Sequence, residues 1–126
     1  MMTPAVPSSQ PGRAFPRQLP RTRRSDTLAF RVGDTEATLT TDAYPSGELG
    51  QIFLRLDRHG STMAGVTDAF SIAASLALQH GADLDVLAEE LRGMRFEPAG
   101  ATDDAQIPSA TSVMDYLARR LAADFS

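Results

Sequence analysis

Hydrophobic and polar positions alternate from Thr27 onward. Leu28, Phe30 and Val32 fall on one side of an extended chain, while Ala29 and Arg31 fall on the other. A period of two marks a half-buried strand. Gly33-Asp34 interrupts the run, after which Glu36, Thr38 and Thr40 alternate with Ala37, Leu39 and Thr41. Two such runs joined by Gly-Asp predict a hairpin, because glycine supplies the positive φ that a two-residue turn needs. Tyr44-Pro45-Ser46-Gly47 places Pro and Gly where a type I turn favours them. Gln51 to Leu56 predicts a third strand with Ile52, Leu54 and Leu56 on one face. Three strands with a single apolar face need a cover.

Beyond Gly60 the period lengthens. Gly60-Ser61-Thr62 offers an N-cap, and Met63, Val66, Phe70, Ala73 and Ala77 recur at helical spacing. From Phe70 to Leu78 every position is apolar or small, which predicts a helix buried on most sides. Gly81 stands where a left-handed terminator belongs. Asp83 then caps a second helix carrying Leu84, Leu87, Ala88, Leu91 and Met94 inward, with Gly93 weakening its last turn. Pro98 disfavours helix at Glu97, so Phe96-Glu97-Pro98-Ala99-Gly100 turns a corner, with Phe96 buried and Arg95 and Glu97 splayed outward. Ala101 to Gln106 reads as a surface loop. Pro108 opens a third helix, with Ser109 and Thr111 as candidate caps and Val113, Met114, Leu117, Leu121 and Phe125 inward. The predicted fold is α+β: a three-stranded antiparallel sheet covered on one face by three helices.

Residues 1–24 hold five of the eight prolines, which predicts a flexible Pro/Arg-rich arm, docking if at all through Phe15 and Leu19. The domain proper is 25–126. All twelve basic residues are arginine, and five of them precede the first acid, Asp26. The remaining 101 residues carry seven arginines against sixteen acids, a net −9. A basic arm on an acidic body makes Arg21, Arg23 and Arg24 candidate contacts for a partner's acidic surface or a nucleotide phosphate. A nucleic-acid-binding regulator is the alternative, although the acidic body would repel DNA outside the arm. No apolar run of span length is evident and the N-terminus has no apolar h-region, so a cytoplasmic protein is expected. Roughly 100 folded residues make a modest core. The apolar helix 61–80 is therefore expected to self-associate or meet a partner.

Candidate chemistry is sparse. The chain has no Cys, which excludes a disulfide scaffold, a thiolate metal site and thiol catalysis by these residues. His59 and His80 flank the first helix, roughly 30 Å apart at its rise per residue, too far to share a metal. His80 near the helix end suits the dipole. Asp103-Asp104 reads as a solvated acid pair and Asp68 as a core-edge acceptor. No nucleophile elbow and no phosphate loop occurs. Arg95 and Glu97, set around Phe96 at the corner, are the remaining candidates for partner or ligand contact.

Five blocks stand in a recognisable order: Leu19-Pro20-Arg21-Thr22-Arg23-Arg24, Gly47-Glu48-Leu49-Gly50-Gln51-Ile52-Phe53-Leu54, Ser75-Leu76-Ala77-Leu78-Gln79-His80-Gly81, Arg95-Phe96-Glu97-Pro98-Ala99-Gly100, and Ala110-Thr111-Ser112-Val113-Met114-Asp115-Tyr116-Leu117. Over residues 19 to about 125 the chain resembles the TSCPD domain, the C-terminal accessory region of adenosylcobalamin-dependent (class II) ribonucleotide reductases, here as a free-standing protein. Gln51 departs from the acidic residue expected in its block, and the chain stops at Ser126 before any cysteine-bearing tail. The resemblance implies an accessory or regulatory module in deoxyribonucleotide and DNA synthesis that binds a reductase catalytic chain or nucleotide. Adenosylcobalamin is implied only for that partner reductase, with no cofactor in this chain. Radical reduction needs sulfur nucleophiles, so the isolated chain is expected not to be catalytic.

Overall fold

The computed structural model describes residues 15–57 and 59–125. Among these the order is β1 (Ser25–Val32), β2 (Thr35–Ala43), β3 (Leu49–Leu56), α1 (Ser61–Gln79), α2 (Leu84–Leu91), β4 (Gly100–Ala101), β5 (Ser109–Ala110) and α3 (Val113–Phe125). The first three strands form one antiparallel sheet in the order β1-β2-β3. Val32 faces Thr35 across the two-residue turn, where Gly33 adopts φ 62°. A Cβ on Gly33 would lie 2.7 Å from the Ala99 carbonyl oxygen, so the position needs glycine for both the turn and the close approach. The next turn closes as expected, with the Gly47 N–H donating to the Tyr44 carbonyl at 2.8 Å.

One face of the sheet carries Phe30, Val32, Ala37, Leu39, Ile52 and Leu54, all buried. Val113, Tyr116, Leu117 and Leu121 of α3 join them in one cluster, and the Phe30 and Tyr116 rings stack with centroids 4.4 Å apart. The architecture is the α+β arrangement read from the sequence. Two short strands are additional. β4 pairs with β5, Gly100 opposite Ala110, and Thr102 bridges to Val32. Residues 101–106 are therefore tied to the sheet rather than being a free surface loop. Ser109 and Thr111 do not cap α3. Ser112, fully buried, does: its hydroxyl accepts from the Asp115 N–H at 3.0 Å. Likewise α2 starts at the Asp83 cap, which accepts from the Asp85 N–H at 2.9 Å, but ends at Leu91, leaving Met94 outside it.

Helix α1 is rotated away from the face its hydropathy predicts. Of the stripe Met63, Val66, Phe70, Ala73 and Ala77, Phe70 packs against the core, whereas Val66 and Ala73 are exposed. The buried residues are Thr67, Ser71, Ala74, Ser75 and Leu78. Val66, Ile72 and Leu76 are instead 58%, 63% and 47% exposed. The reason lies at the outer edge of β3, whose backbone groups need partners once covered. The Ser75 hydroxyl accepts from the Ile52 N–H at 2.9 Å and donates to the Ile52 carbonyl at 3.0 Å. The Ser71 hydroxyl accepts from the Leu54 N–H at 3.0 Å, and the Gln79 amide donates to the Gly50 carbonyl at 3.0 Å. A polar row at i, i+4 and i+8 thus finishes the sheet edge, leaving Val66, Ile72 and Leu76 on the outward side. Burial on most sides is accordingly not observed. By length and composition α1 also reaches the dimensions of a membrane span, contrary to the sequence expectation. The hydroxyl bonds to β3 are those of a helix within the folded domain. Asp68, expected at the core edge, is exposed on α1.

The arm divides. Met1 to Ala14, with Pro4, Pro7, Pro11 and Arg13, lies outside the described residues. Phe15 is 82% exposed and does not dock. Arg17 does. Its N–H donates to the Gln79 carbonyl at 2.8 Å, its carbonyl accepts from the Tyr44 hydroxyl at 2.8 Å, and its guanidinium lies 3.8 Å over the Tyr44 ring. Leu19 packs close to Gly50, where a Cβ would meet it at 2.8 Å.

Candidate functional site

The corner after α2 is where the sequence concentrates its unusual chemistry, and the structure shows what holds it. Gly93, at φ 81°, ends the helical path, and its N–H donates to Asp115 Oδ1 at 2.8 Å. Asp115 Oδ2 accepts from the Thr111 N–H at 3.0 Å and from the Arg119 guanidinium at 2.8 Å. Thr111 returns two further bonds: its hydroxyl donates to the Met94 carbonyl at 2.8 Å, and its carbonyl accepts from the Phe96 N–H at 3.2 Å. One buried carboxylate therefore clamps the end of α2 to the start of α3. Burial alone pushes the Asp115 carboxyl up. The Thr111 and Gly93 N–H groups and Arg119 outweigh it, holding the carboxyl below the ordinary carboxylate value.

Side chains on this fixed backbone point outward. Arg95 and Glu97 are exposed, as expected, and have no partner among the described residues. Phe96 departs from expectation: it is 39% exposed rather than buried, because Phe96 is anchored through its N–H rather than its ring. Met94, 42% exposed, adds a second apolar group. A surface cleft of about 360 Å³ adjoins the corner, lined by Arg92, Gly93, Thr111, Asp115 and Arg119. Exposed Arg and Phe on a preorganised backbone suit protein recognition more than turnover. Since neither Arg95 nor Glu97 supports the fold, Arg95→Ala and Glu97→Ala should each leave thermal stability within about 0.5 kcal/mol of the parent. Thermal unfolding followed by circular dichroism checks this, and a larger loss would give the corner a structural role.

A second network stiffens α3. The Tyr116 hydroxyl donates to Asp104 Oδ2 at 2.7 Å, and Arg120 reaches the same oxygen at 2.8 Å while bonding Asp124 at 2.9 Å. Asp104 is thus no solvated member of an acid pair. Burial raises its carboxyl, but the Tyr116 and Arg120 hydrogen bonds leave it lowered overall. Burial, with the adjacent Asp104, pushes the Tyr116 hydroxyl well up.

The arm arginines do not join the corner. Arg23 pairs with Asp42 at 3.2 Å and donates to the Pro20 carbonyl, and Arg24 pairs with Asp26 at 3.1 Å. Arg21 is exposed without a partner among the described residues. They sit at the start of β1, whereas Ala99 abuts Gly33 at its far end. At strand rise, the start of β1 lies roughly 25 Å from the end that Ala99 abuts. His59 and His80 lie at opposite ends of α1, and no group of three or more His, Asp or Glu among the described residues is arranged to hold a metal. Sequence reasoning missed Asp115 and the α1 hydroxyls. The Ser112-x-x-Asp115 spacing of a helix start and the Thr67/Ser71/Ser75 row were the available signals.

Residues 11–125 match the model of the TSCPD domain over nearly the whole chain. The chain belongs to the TSCPD domain family. Over 109 residues, 86% of the chain, this TSCPD domain is 47% identical to proteins named vitamin B12-dependent ribonucleotide reductase from Streptantibioticus cattleyicolor and Streptomyces avermitilis. A protein of the same name from Rhodopirellula baltica is 40% identical over 108 residues. The domain spans only 18%, 11% and 10% of those three relatives. No solved structure matches it. The relation to cobalamin-dependent ribonucleotide reductase agrees with the sequence resemblance.

Three clefts among the described residues measure about 360–680 Å³, within the range of drug-sized ligands, and arginine side chains line each of them.

Proposed function

We propose that this chain is an accessory module of a cobalamin-dependent ribonucleoside-diphosphate reductase, acting in deoxyribonucleotide supply for DNA synthesis by binding the catalytic chain. The observation that carries the reading is the exposed apolar face of α1. Val66, Ile72 and Leu76 form an outward apolar face on a helix whose polar side is already committed to β3. Exposed faces of this kind mark interaction sites. In the relatives the same region is a small part of a much longer reductase chain, so the body of a reductase is the occupant we assign to that face. The corner at Arg95 and Glu97 offers further polar contacts. Cobalamin and the reducing thiols belong to the partner, and the setting is cytoplasmic.

A nucleotide or nucleic-acid role for the arm is less well supported, since Arg17, Arg23 and Arg24 already pair with Glu48, Asp42 and Asp26. Self-association through α1 competes with docking for the same surface. The test is a calorimetric titration of the chain into a cobalamin-dependent reductase chain that lacks this region. Saturable binding is expected, with no ribonucleotide reduction by the module and cobalamin alone. Absence of binding, or turnover by the isolated module, would overturn the reading.

A further inference from the structure

The two edges of the sheet are finished differently. Along β3 the outward backbone groups are taken by Ser71, Ser75 and Gln79. Along β1 the Val32–Thr35 pair and the bond from the Ala43 N–H to the Arg24 carbonyl fix even-numbered residues toward β2. Odd-numbered residues therefore turn their N–H and C=O groups away from the sheet. At the far end these are used: the Arg31 N–H donates to Asp103 Oδ1 at 2.9 Å, and the Gly33 N–H to the Ala101 carbonyl at 2.8 Å. The outward groups of Ser25, Thr27 and Ala29 have no partner among the described residues. These three residues are small, uncharged and exposed. Beside them Leu28, 38% exposed, sits at the mouth of a groove of about 480 Å³ with Leu39 and Phe125.

We infer that this open edge pairs with the same edge of a second copy of the chain, antiparallel, about a two-fold axis through Thr27. Three rungs fit at once, since Ser25 of each copy meets Ala29 of the other and Thr27 meets its own counterpart. An open strand edge is a template for such pairing, and a two-fold contact requires a self-complementary surface. A two-fold axis normal to the sheet, relating one strand edge to itself, fixes the antiparallel sense. The register is also selected. Centring on Asp26 sets like charges face to face, and centring on Leu28 drives Ser25 into the backbone position that Asp103 holds beside Arg31. About Thr27 the paired residues 25–29 avoid both; Arg23, which precedes the strand and is held on Asp42 and the Pro20 carbonyl, falls opposite Arg31 just outside them, and the Leu28 side chains of the two copies lie diagonally across the axis, within reach of each other. The product is a continuous six-stranded sheet, closed at both ends by α1 hydroxyls. The α1 face stays free.

The experiment is sedimentation velocity on the intact chain over a wide concentration range, with two variants. A dimer that grows with concentration is expected. Ala29→Pro removes an outward N–H that β2 does not use, one bond per copy and two per dimer, and should weaken dimerisation by about tenfold or more with the circular dichroism spectrum unchanged. In this cysteine-free chain, Thr27→Cys should be captured as a dimer by a short thiol-specific cross-linker, whereas Thr38→Cys on the central strand should not. A chain that stays monomeric at millimolar concentration would overturn the proposal. So would a dimer indifferent to Ala29→Pro but lost in Ile72→Glu, which would move the contact to α1, or equal cross-linking at both cysteines.

Discussion

Asp115→Ala is expected to destabilise the domain by about 3–5 kcal/mol, because removing one member of a buried ion pair leaves its partner uncompensated. Arg119 would lose its carboxylate, and the Gly93 and Thr111 N–H groups would lose their acceptor. Small domains have total stabilities of about 5–15 kcal/mol, so much of the variant population would be unfolded on mild heating. Urea unfolding at neutral pH measures the loss. The pH dependence has a definite sign. A carboxyl held below its ordinary value in the folded state contributes stability above the unfolded value, near 4, and loses it as pH falls through the folded value. Asp104 adds in the same direction. Wild-type unfolding free energy should therefore drop below about pH 4, and Asp115→Asn should lack part of that drop. A wild-type stability that is flat between pH 5 and pH 2.5 would contradict the clamp, taking the window from the same linkage.

The second large effect inverts ordinary expectation for a helix. Ser75→Ala, a change that makes α1 more apolar and more helix-prone, should cost about 2–4 kcal/mol, since it strands both the N–H and the C=O of buried Ile52. Ser71→Ala should cost about 1–3 kcal/mol through the Leu54 N–H. Ile72→Ser, which removes the most apolar side chain of that turn, should cost under about 1 kcal/mol because the residue is 63% exposed. Chemical denaturation of the three variants ranks them. If Ile72→Ser proved the worst, α1 would be packed the other way round.

That rotation of α1 marks where the sequence stops being legible. The strands were readable because β1 and β2 alternate strictly and share a Gly-Asp turn, so period and register follow from local chemistry. Ser71 and Ser75 were not, since their inward orientation depends on an unpaired strand edge 17 to 23 residues away in sequence. Hydropathy treats a hydroxyl as surface and cannot weigh a backbone acceptor that only tertiary structure supplies. The same applies at the corner. Arg95 and Glu97 are legible as outward charges, but apolarity alone places Phe96 in the core, whereas Thr111 holds the loop through its hydroxyl and its carbonyl. Asp104 was misjudged because Tyr116 and Arg120, on another element, are what draw it inward.

The account depends on the outward face of α1 being an interface. Its most direct test is a calorimetric comparison of the wild-type chain with Ile72→Glu and Leu76→Glu, each titrated into a cobalamin-dependent reductase chain that lacks this region. Both variants should retain wild-type unfolding midpoints, and each should weaken binding by about tenfold or more, as expected for a charge placed in a desolvated contact. Binding of equal strength for all three chains, with folds intact, would contradict it.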